Sequence, residues 1–236
     1  MIGVYDYTVL LTYLSLLAAS TGILVSLSGN GHPYLGVFFL LVCGLCDAFD
    51  GKVARMKKDR NEMERNFGIQ IDSLSDLVAF GVLPACIGAA MIRNSPMLND
   101  LFDRENWFYN RVLQYILFAI LIVYVLAAMI RLAYFNVTEE IRQKNEGGVR
   151  KFYTGLPVTS AALIFPVIVL IKHLFQHFLQ LDITLLYLAI ALLTGFAFLA
   201  KFKVKKFGLK GILIMVAIGT VEFLLLLLFL IPTLTR

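Results

Sequence analysis

Long apolar runs separated by short polar connections dominate the chain. A membrane-spanning helix needs about 20 predominantly apolar residues. Seven segments meet this requirement, at residues 8–28, 34–55, 68–92, 107–134, 156–175, 181–200 and 210–232. The pattern therefore predicts an all-α integral membrane protein with about seven transmembrane helices. No internal repeat or long linker divides the sequence, so we expect residues 1–236 to form one membrane-embedded domain.

Positive charge is concentrated on alternate connections. Sixteen of the 21 Lys and Arg residues lie in, or at the edges of, the connections after the second, fourth and sixth segments. Cytoplasmic loops carry an excess of Lys and Arg. The distribution therefore predicts that these three connections and the N-terminus face the cytosol, whereas the C-terminus lies on the opposite side.

Composition agrees with a membrane location. Hydrophobic residues make up 59% of the chain and charged residues 16%, with a mean hydropathy of +0.81. Globular domains carry about 25% charged residues, so these values exclude a soluble enzyme, a disordered chain and a secreted disulfide scaffold. Beside a bilayer, the net charge of +5 indicates topology signals and attraction to anionic lipid or phosphate. We expect no nucleic-acid partner.

Four carboxylates lie inside the predicted spans, although charged groups are costly there. Asp47 and Asp50 share one face of the second segment, and Asp72 and Asp76 share one face of the third. Because the connection is short, we expect the two helices to run antiparallel and the four carboxylates to meet near the cytosolic surface. A fifth acid, Glu222, lies alone in the last segment, where packing or an oligomer contact is the expected role.

Four clustered carboxylates would repel one another unless cations neutralise them. Oxygen ligands without His or Cys favour one or two Mg²⁺ or Mn²⁺ ions. One alternative is that the acids pair with Lys and Arg in helix packing. Another is an ion-coupled transporter, because acids within membranes often mark ion pathways. The position of the cluster near one membrane face and the lack of an inverted repeat argue against a transporter.

Small residues and an arginine accompany the acids. Gly51 and Ala54 continue the face that holds Asp47 and Asp50, and they leave room for a ligand near the backbone. Arg55 follows directly and can bind phosphate through two parallel hydrogen bonds. Together these features predict a site for a metal-bound diphosphate.

These residues form a recognisable motif. Residues 47–55 read DAFDGKVAR and residues 68–76 read GIQIDSLSD, which together resemble the D-x-x-D-G-x-x-A-R…G-x-x-x-D-x-x-x-D signature of the CDP-alcohol phosphotransferases. Within that family the chain is most similar to the phosphatidylserine synthases. That similarity is carried by residues 67–85 (FGIQIDSLSDLVAFGVLPA), 131–137 (RLAYFNV) and 155–162 (GLPVTSAA).

The resemblance implies a fold, a reaction and roles for individual residues. The fold would be a six-helix core plus a C-terminal helix, with a polar active site at the cytosolic side between helices 2 and 3. The reaction would transfer a phosphatidyl group from CDP-diacylglycerol to L-serine and release CMP. Two divalent cations, Mg²⁺ or Mn²⁺, would be held by Asp47, Asp50, Asp72 and Asp76, with Asp76 also the general base. The CDP lipid would contact Gly51, Ala54, Arg55 and Gly68.

The serine carboxylate needs a cation, and Arg131 lies at the cytosolic end of the fourth segment. Arg150 and Lys151 are alternatives in the following connection. Arg131 could instead extend to the lipid headgroups, as arginines at helix ends often do. The resemblance also leaves other acceptors open: archaetidylserine-type, inositol-phosphate and glycerol-phosphate reactions share the Asp pattern. It further implies a homodimer in the cell membrane, or in the endoplasmic reticulum of a eukaryote.

The chain departs from the family pattern in its spacer. Twelve residues separate Arg55 from Gly68, which is several more than is usual, and the additional residues are charged. We expect them to lengthen the cytosolic turn. Arg65 stands where many relatives carry Ser or Thr at the nucleotide site, and Ser15 stands where the synthases often have Asn.

Overall fold

A computed structural model describes residues 3–29, 31–102, 107–145 and 152–205, together with 217–222, 224–225 and 228. The α-helices are α1 (Leu10–Leu27), α2 (Pro33–Met56), α3 (Glu62–Asp76), α4 (Leu83–Arg93), α5 (Pro96–Phe102), α6 (Trp107–Asn145), α7 (Ala161–Leu179) and α8 (Thr184–Leu199). A π-helical segment, Leu77–Val82, joins α3 to α4, and a 3₁₀ turn, Val158–Ser160, precedes α7. There are also two short strands, β1 (Phe152–Thr154) and β2 (Lys203–Lys205), and residues 217–222 are helical.

The structure confirms an all-α membrane protein. Within the described residues, five helices are long and apolar enough to cross a bilayer: Leu10–Leu27, Pro33–Met56, Glu62–Arg93, Asn110–Asn145 and Val158–Leu179. The sixth predicted segment corresponds to the shorter apolar helix α8. Most of the seventh predicted segment lies outside the described residues. The positions of this segment that are described are helical, and one of them, Glu222, is buried.

Two helices extend beyond their predicted limits at polar ends. The helix that contains α3 starts at Glu62 instead of residue 68, and α6 continues to Asn145 instead of ending at residue 134. Asn61 caps α3: its side chain accepts the Glu64 N–H at 2.7 Å, and the Glu64 carboxylate accepts the Asn61 N–H at 3.1 Å. Such a capping box satisfies donors that a helix start leaves free. Helix formation therefore continues into sequence that is too polar to count as membrane-spanning.

The π-helical segment directly after Asp76 depends on Pro84 and on two tyrosines from other helices. Pro84 has no backbone N–H, so the carbonyl of Phe80 loses the donor that an α-helix would supply four residues later. The buried Tyr124 hydroxyl donates to this carbonyl at 2.5 Å, and the Tyr187 hydroxyl donates to the Pro84 carbonyl at 2.6 Å. Tyrosines on α6 and α8 thus satisfy backbone groups of the irregular helix.

Close helix contacts build the core. Helix α1 packs along α2, where Gly22 and Gly36 allow the backbones to approach: a Cβ at Gly22 would stand 2.8 Å from the Phe39 Cβ. Helix α2 also packs closely against α4, where a Cβ at Gly36 would stand 2.8 Å from Ile87, but it packs much less against α3. Helices α2 and α3 therefore leave a gap at the end of the bundle where the signature aspartates lie.

At this end of the bundle, two connections pair with each other and a third contacts the N-terminal stretch. Strands β1 and β2 pair antiparallel, with Tyr153 opposite Val204, and so join the connections after the fourth and sixth predicted segments. Lys57, after the second segment, forms a 2.7 Å ion pair with Asp6 in the N-terminal stretch. We call this end, which holds 57–61, β1 and β2, the basic end. The predicted cytosolic elements thus share one side of the molecule.

A buried polar network stabilises the opposite end. Lys172 donates to the Thr184 hydroxyl at 2.8 Å and lies 3.6 Å from the Asp182 carboxylate. Asp182 also accepts hydrogen bonds from the Ser95 hydroxyl and the Thr184 N–H. Burial disfavours the charged carboxylate, but these hydrogen bonds and the Lys172 charge outweigh it and hold the pKa of Asp182 below its usual value. The network joins the α4–α5 turn to α7 and α8.

Candidate active site

The C-terminal half of α2 carries the first half of the site. Asp47 and Asp50 lie one turn apart on the same face, and both side chains are partly buried. The Asp50 carboxylate accepts a hydrogen bond from the Gly51 N–H, which fixes its direction. Gly51 and Ala54 continue this face, so the α2 side of the gap combines carboxylates with a surface that lacks bulky side chains.

Helix α3 carries the second half. Gly68, Asp72 and Asp76 follow at intervals of four residues along one face, and Asp76 is the last residue before the π-helical segment. The carboxylates of Asp50 and Asp72 interact across the gap. Asp76 lies within electrostatic range of the other three aspartates. The four acids predicted from the sequence thus line the same gap and interact electrostatically.

The donor set fits hard divalent cations. Oxygen ligands suit Mg²⁺ and Mn²⁺, whereas zinc and copper sites usually include His or Cys. Within the described ranges, no three His, Cys, Asp or Glu side chains converge closely enough to form a complete metal site as they stand. Among the four acids, Asp50 lies beside Asp72.

Arg55 lies at the rim of the gap. Its guanidinium packs over Gly51, and a Cβ at that position would stand 3.4 Å from the Arg55 Nη1. The Arg55 side chain is exposed. A guanidinium at the edge of an acidic pocket can bind a phosphate whose other oxygens are bound by metal.

The spacer between α2 and α3 is ordered by charge. Lys57 pairs with Asp6 at 2.7 Å and with Glu64 at 3.0 Å. The hydrogen bond from Lys57, together with one from Thr8, lowers the pKa of Asp6 from 3.8 to about 2. The same hydrogen bonds to Asp6 and Glu64 raise the pKa of Lys57. The sequence predicted that the additional spacer residues lengthen the turn, but the turn comprises only 57–61 and the spacer from Glu62 onward extends α3. Lys57 anchors the N-terminal stretch to this turn.

Sequence reasoning missed Arg60, which lies inside the gap. Its Nη1 is 3.5 Å from the Ala54 carbonyl, and its Nη2 donates to the Glu64 carbonyl at 3.1 Å. The Nη2 is also 2.6 Å from where a Cβ at Gly68 would stand. The only sequence signal for this residue is its location in a charged spacer of unusual length.

The predicted serine-binding residues are only partly described. Arg131 is buried, with 5% of its surface exposed, and its Nε donates to the Leu156 carbonyl at 3.1 Å. Its guanidinium lies over the Phe135 ring at 5.6 Å. The side chain therefore does not extend to the headgroups. Arg150 and Lys151 lie outside the described residues.

A further contact ties α6 to the site. The Asn136 side chain donates to the Ser73 hydroxyl at 2.6 Å, immediately beside Asp72. Asn136 belongs to the stretch 131–137 that carries the family resemblance. The α6 residues that resemble the family are thus placed next to the acidic face of α3.

Comparison with known proteins agrees with this geometry. A CDP-diacylglycerol–serine O-phosphatidyltransferase of Saccharomyces cerevisiae is 34% identical over 142 residues, which is 59% of this chain and 43% of the yeast protein. A Helicobacter pylori protein of the same name is 27% identical over 167 residues, 70% of this chain and 59% of the relative. An archaetidylserine synthase of Methanothermobacter thermautotrophicus is 33% identical over 151 residues, 64% of this chain and 53% of the relative.

This chain spans about half the length of the curated relatives it matches. A family model matches a larger share of this chain than these relatives do. The model for CDP-alcohol phosphatidyltransferase matches residues 8–198, which extend from α1 to α8 and include both aspartate pairs. With the signature residues of α2 and α3 gathered in one gap, the chain belongs to the CDP-alcohol phosphatidyltransferase family.

Proposed function

We propose that this protein transfers the phosphatidyl group of CDP-diacylglycerol to L-serine and releases CMP. The observation that carries the proposal is the convergence of the acidic faces of α2 and α3 at the basic end of a membrane bundle, with Asp50 beside Asp72. The relatives named for the serine reaction support the choice of acceptor. The whole of residues 1–236 would act as a single membrane domain.

Members of the family generally depend on divalent metal. In this chain Asp47, Asp50, Asp72 and Asp76 would hold two cations, Mg²⁺ or Mn²⁺. When bound, such a pair neutralises a diphosphate and stabilises the leaving phosphate. Gly51, Ala54, Arg55 and Gly68 would bind the CDP portion, because the small residues admit the ligand to the backbone and Arg55 offers a fork of donors.

Asp76 would act as the general base. It takes the proton of the serine hydroxyl while that oxygen attacks the lipid-linked phosphorus of the donor. A new P–O bond to serine forms as the bond from that phosphorus to the oxygen of CMP breaks, and CMP leaves as an anion. Asp76 lies one turn farther from the basic end than Asp72, at the start of the π-helical segment. Proton transfer by a positioned carboxylate contributes typically 10²–10⁴-fold to a rate.

Arg131 would bind the serine carboxylate, with Arg150 and Lys151 as further candidates. The burial of Arg131 supports this role, because a guanidinium held away from water strengthens a charge-assisted hydrogen bond. Its position five residues before Asn136, which contacts α3, supports it as well.

We further propose that the protein acts as a homodimer in the membrane. Five spanning helices make this an integral membrane protein. The active site would face the cytosol, in the cell membrane or, in a eukaryote, the endoplasmic reticulum. The exposed apolar side chains of the helices would contact membrane lipids and a second copy in a homodimer.

The archaetidylserine synthase relative supports a second donor, in which the CDP lipid carries other chains. Purified protein should be tested with CDP-diacylglycerol and its ether-linked archaeal counterpart against L-serine, inositol, inositol phosphate, glycerol 3-phosphate and choline. CMP release only with serine is the expected result. Release with another acceptor would replace the proposed one, and ion flux in proteoliposomes without lipid turnover would favour a transporter.

A further inference from the structure

Arg60 lies between the two halves of the signature, and neither half contains it. Its guanidinium reaches back to the Ala54 carbonyl on α2 and forward to the Glu64 carbonyl on α3. No carboxylate in the described part of the chain forms an ion pair with it, although Asp59 and Glu62 are nearby in sequence. Two backbone carbonyls, and not a neighbouring acid, therefore hold the Arg60 side chain in the gap.

Gly68 leaves the space that Arg60 occupies. A Cβ at Gly68 would stand 2.6 Å from the Arg60 Nη2, which is too close for any side chain unless Arg60 moves. Because Asp72 follows Gly68 by one turn on the same face, the guanidinium lies at the mouth of the acidic site, one turn from a proposed metal ligand. On the other side of the gap, the Arg55 guanidinium packs over Gly51, where a Cβ would stand 3.4 Å from the Arg55 Nη1.

The hydrogen bonds of Arg60 are incomplete. A guanidinium has five N–H donors, and the structure gives this one two carbonyl partners, the longer at 3.5 Å. Its Nε is buried and has no hydrogen-bond partner among the described residues. An anion that enters the gap would satisfy donors that the protein leaves free.

The surrounding spacer holds Arg60 in place before any ligand binds. Lys57 ties the start of the connection to Asp6 and Glu64, and Asn61 caps α3 immediately after Arg60. The residues on both sides are thus fixed, so less side-chain entropy is lost when the guanidinium binds a ligand.

From these observations we propose that Arg60 is a binding residue for the diphosphate of the CDP donor, acting with Arg55 from the opposite side of the gap. The proposal rests on the proposed function, because it takes the CDP lipid as the ligand. Two cations would offset the four aspartates, and two guanidiniums would supply the positive charge that the diphosphate still needs. The unusually long spacer would then serve to bring this second arginine into the site.

Binding of CDP in the presence of Mg²⁺, measured by calorimetry on the detergent-purified full chain, tests the proposal. Arg60→Gln should weaken CDP binding by about 10-fold or more, the usual effect of losing a hydrogen bond to a charged group. Arg60→Lys, which keeps the charge but loses the fork, should give a smaller loss. The matched control is Lys58→Gln: this exposed residue, two positions earlier, loses the same charge and should change affinity by less than about twofold.

Unchanged CDP affinity in both Arg60 variants would overturn the proposal and leave Arg60 as a structural link between α2 and α3. Tighter binding would also overturn it, because it would identify Arg60 as an obstacle in the site. If the Arg60→Gln variant does not fold, the CDP affinity of Arg60→Lys alone tests the proposal. A wild-type chain that binds CDP but transfers nothing to serine contradicts the proposed function alone, whereas one that does not bind CDP contradicts both.

Discussion

Four aspartates share one cluster, but the proposed reaction gives them two roles. Asp47, Asp50 and Asp72 act only as metal ligands, whereas Asp76 also takes a proton. Asp76 is the last residue of α3, where the regular helix gives way to the π-helical segment. Such segments occur frequently at functional sites. A substitution that keeps size but removes basicity should therefore affect the four residues differently.

We predict that Asp76→Asn lowers the transfer rate by about 10²–10⁴-fold while CDP-lipid binding changes much less. Asp47→Asn should instead weaken Mn²⁺ and CDP-lipid binding together, because Asp47 is proposed purely as a ligand. The measurement is a pair of titrations, turnover and CDP-lipid affinity, on both variants. Near-normal turnover by Asp76→Asn would show that another group is the base.

The buried Arg131 is proposed to bind the serine carboxylate. Arg131→Gln should raise the KM for serine by about 10- to 100-fold, the cost of losing a hydrogen bond to a charged group, and leave CDP-lipid affinity nearly unchanged. The thermal midpoint should be recorded in parallel, because Arg131 also donates to the Leu156 carbonyl. An unchanged serine KM with a lowered midpoint would assign Arg131 a structural role only.

At the scale of helices and connections, sequence periodicity predicted some features and missed others. Spacings of three and four residues placed each pair of aspartates on one helix face, because these spacings depend only on helix geometry. The π-helical segment could not be predicted, since it depends on Tyr124, which is distant in the chain from Pro84. Arg60 was missed for a similar reason: its position depends on how the spacer folds between Lys57 and Asn61.

The Asp6–Lys57 pair makes stability depend on pH. Hydrogen bonds from Lys57 and Thr8 lower the pKa of Asp6 to about 2, so the folded state favours the ionised carboxylate. The stabilisation is fully present above the ordinary value of 3.8 and is lost as the pH falls through the folded value. Asp6→Asn should therefore lower the thermal midpoint near neutral pH, and the difference from wild type should shrink between about pH 4 and about pH 2.

Melting curves in detergent from about pH 6 to about pH 2 measure this effect. Asp59→Asn serves as the control: it removes the same charge from an exposed position in the same connection, and we expect little change in midpoint. A difference between wild type and Asp6→Asn that stays constant over the whole range would contradict the role of this ion pair.

The distribution of positive charge along the chain predicts which end of the protein faces the cytosol. The structure brings the connections after the second, fourth and sixth predicted segments to one end, while Asn99 on α5 lies near the opposite end. A chain in which Cys43, Cys46 and Cys86 are replaced can carry single cysteines at Lys58 or Asn99, both exposed. Lys58→Cys should react only from the cytosolic side and Asn99→Cys only from outside. Reaction of both from one side would overturn the topology.

If the aspartates of α2 and α3 make this membrane protein a metal-dependent transferase, its release of CMP must depend on a divalent cation. Purified protein with CDP-diacylglycerol and L-serine should release CMP in Mg²⁺ or Mn²⁺, lose the activity when EDTA is added, and recover it when the metal is returned in excess. Full CMP release in metal-free buffer, or none with either metal, would contradict the account.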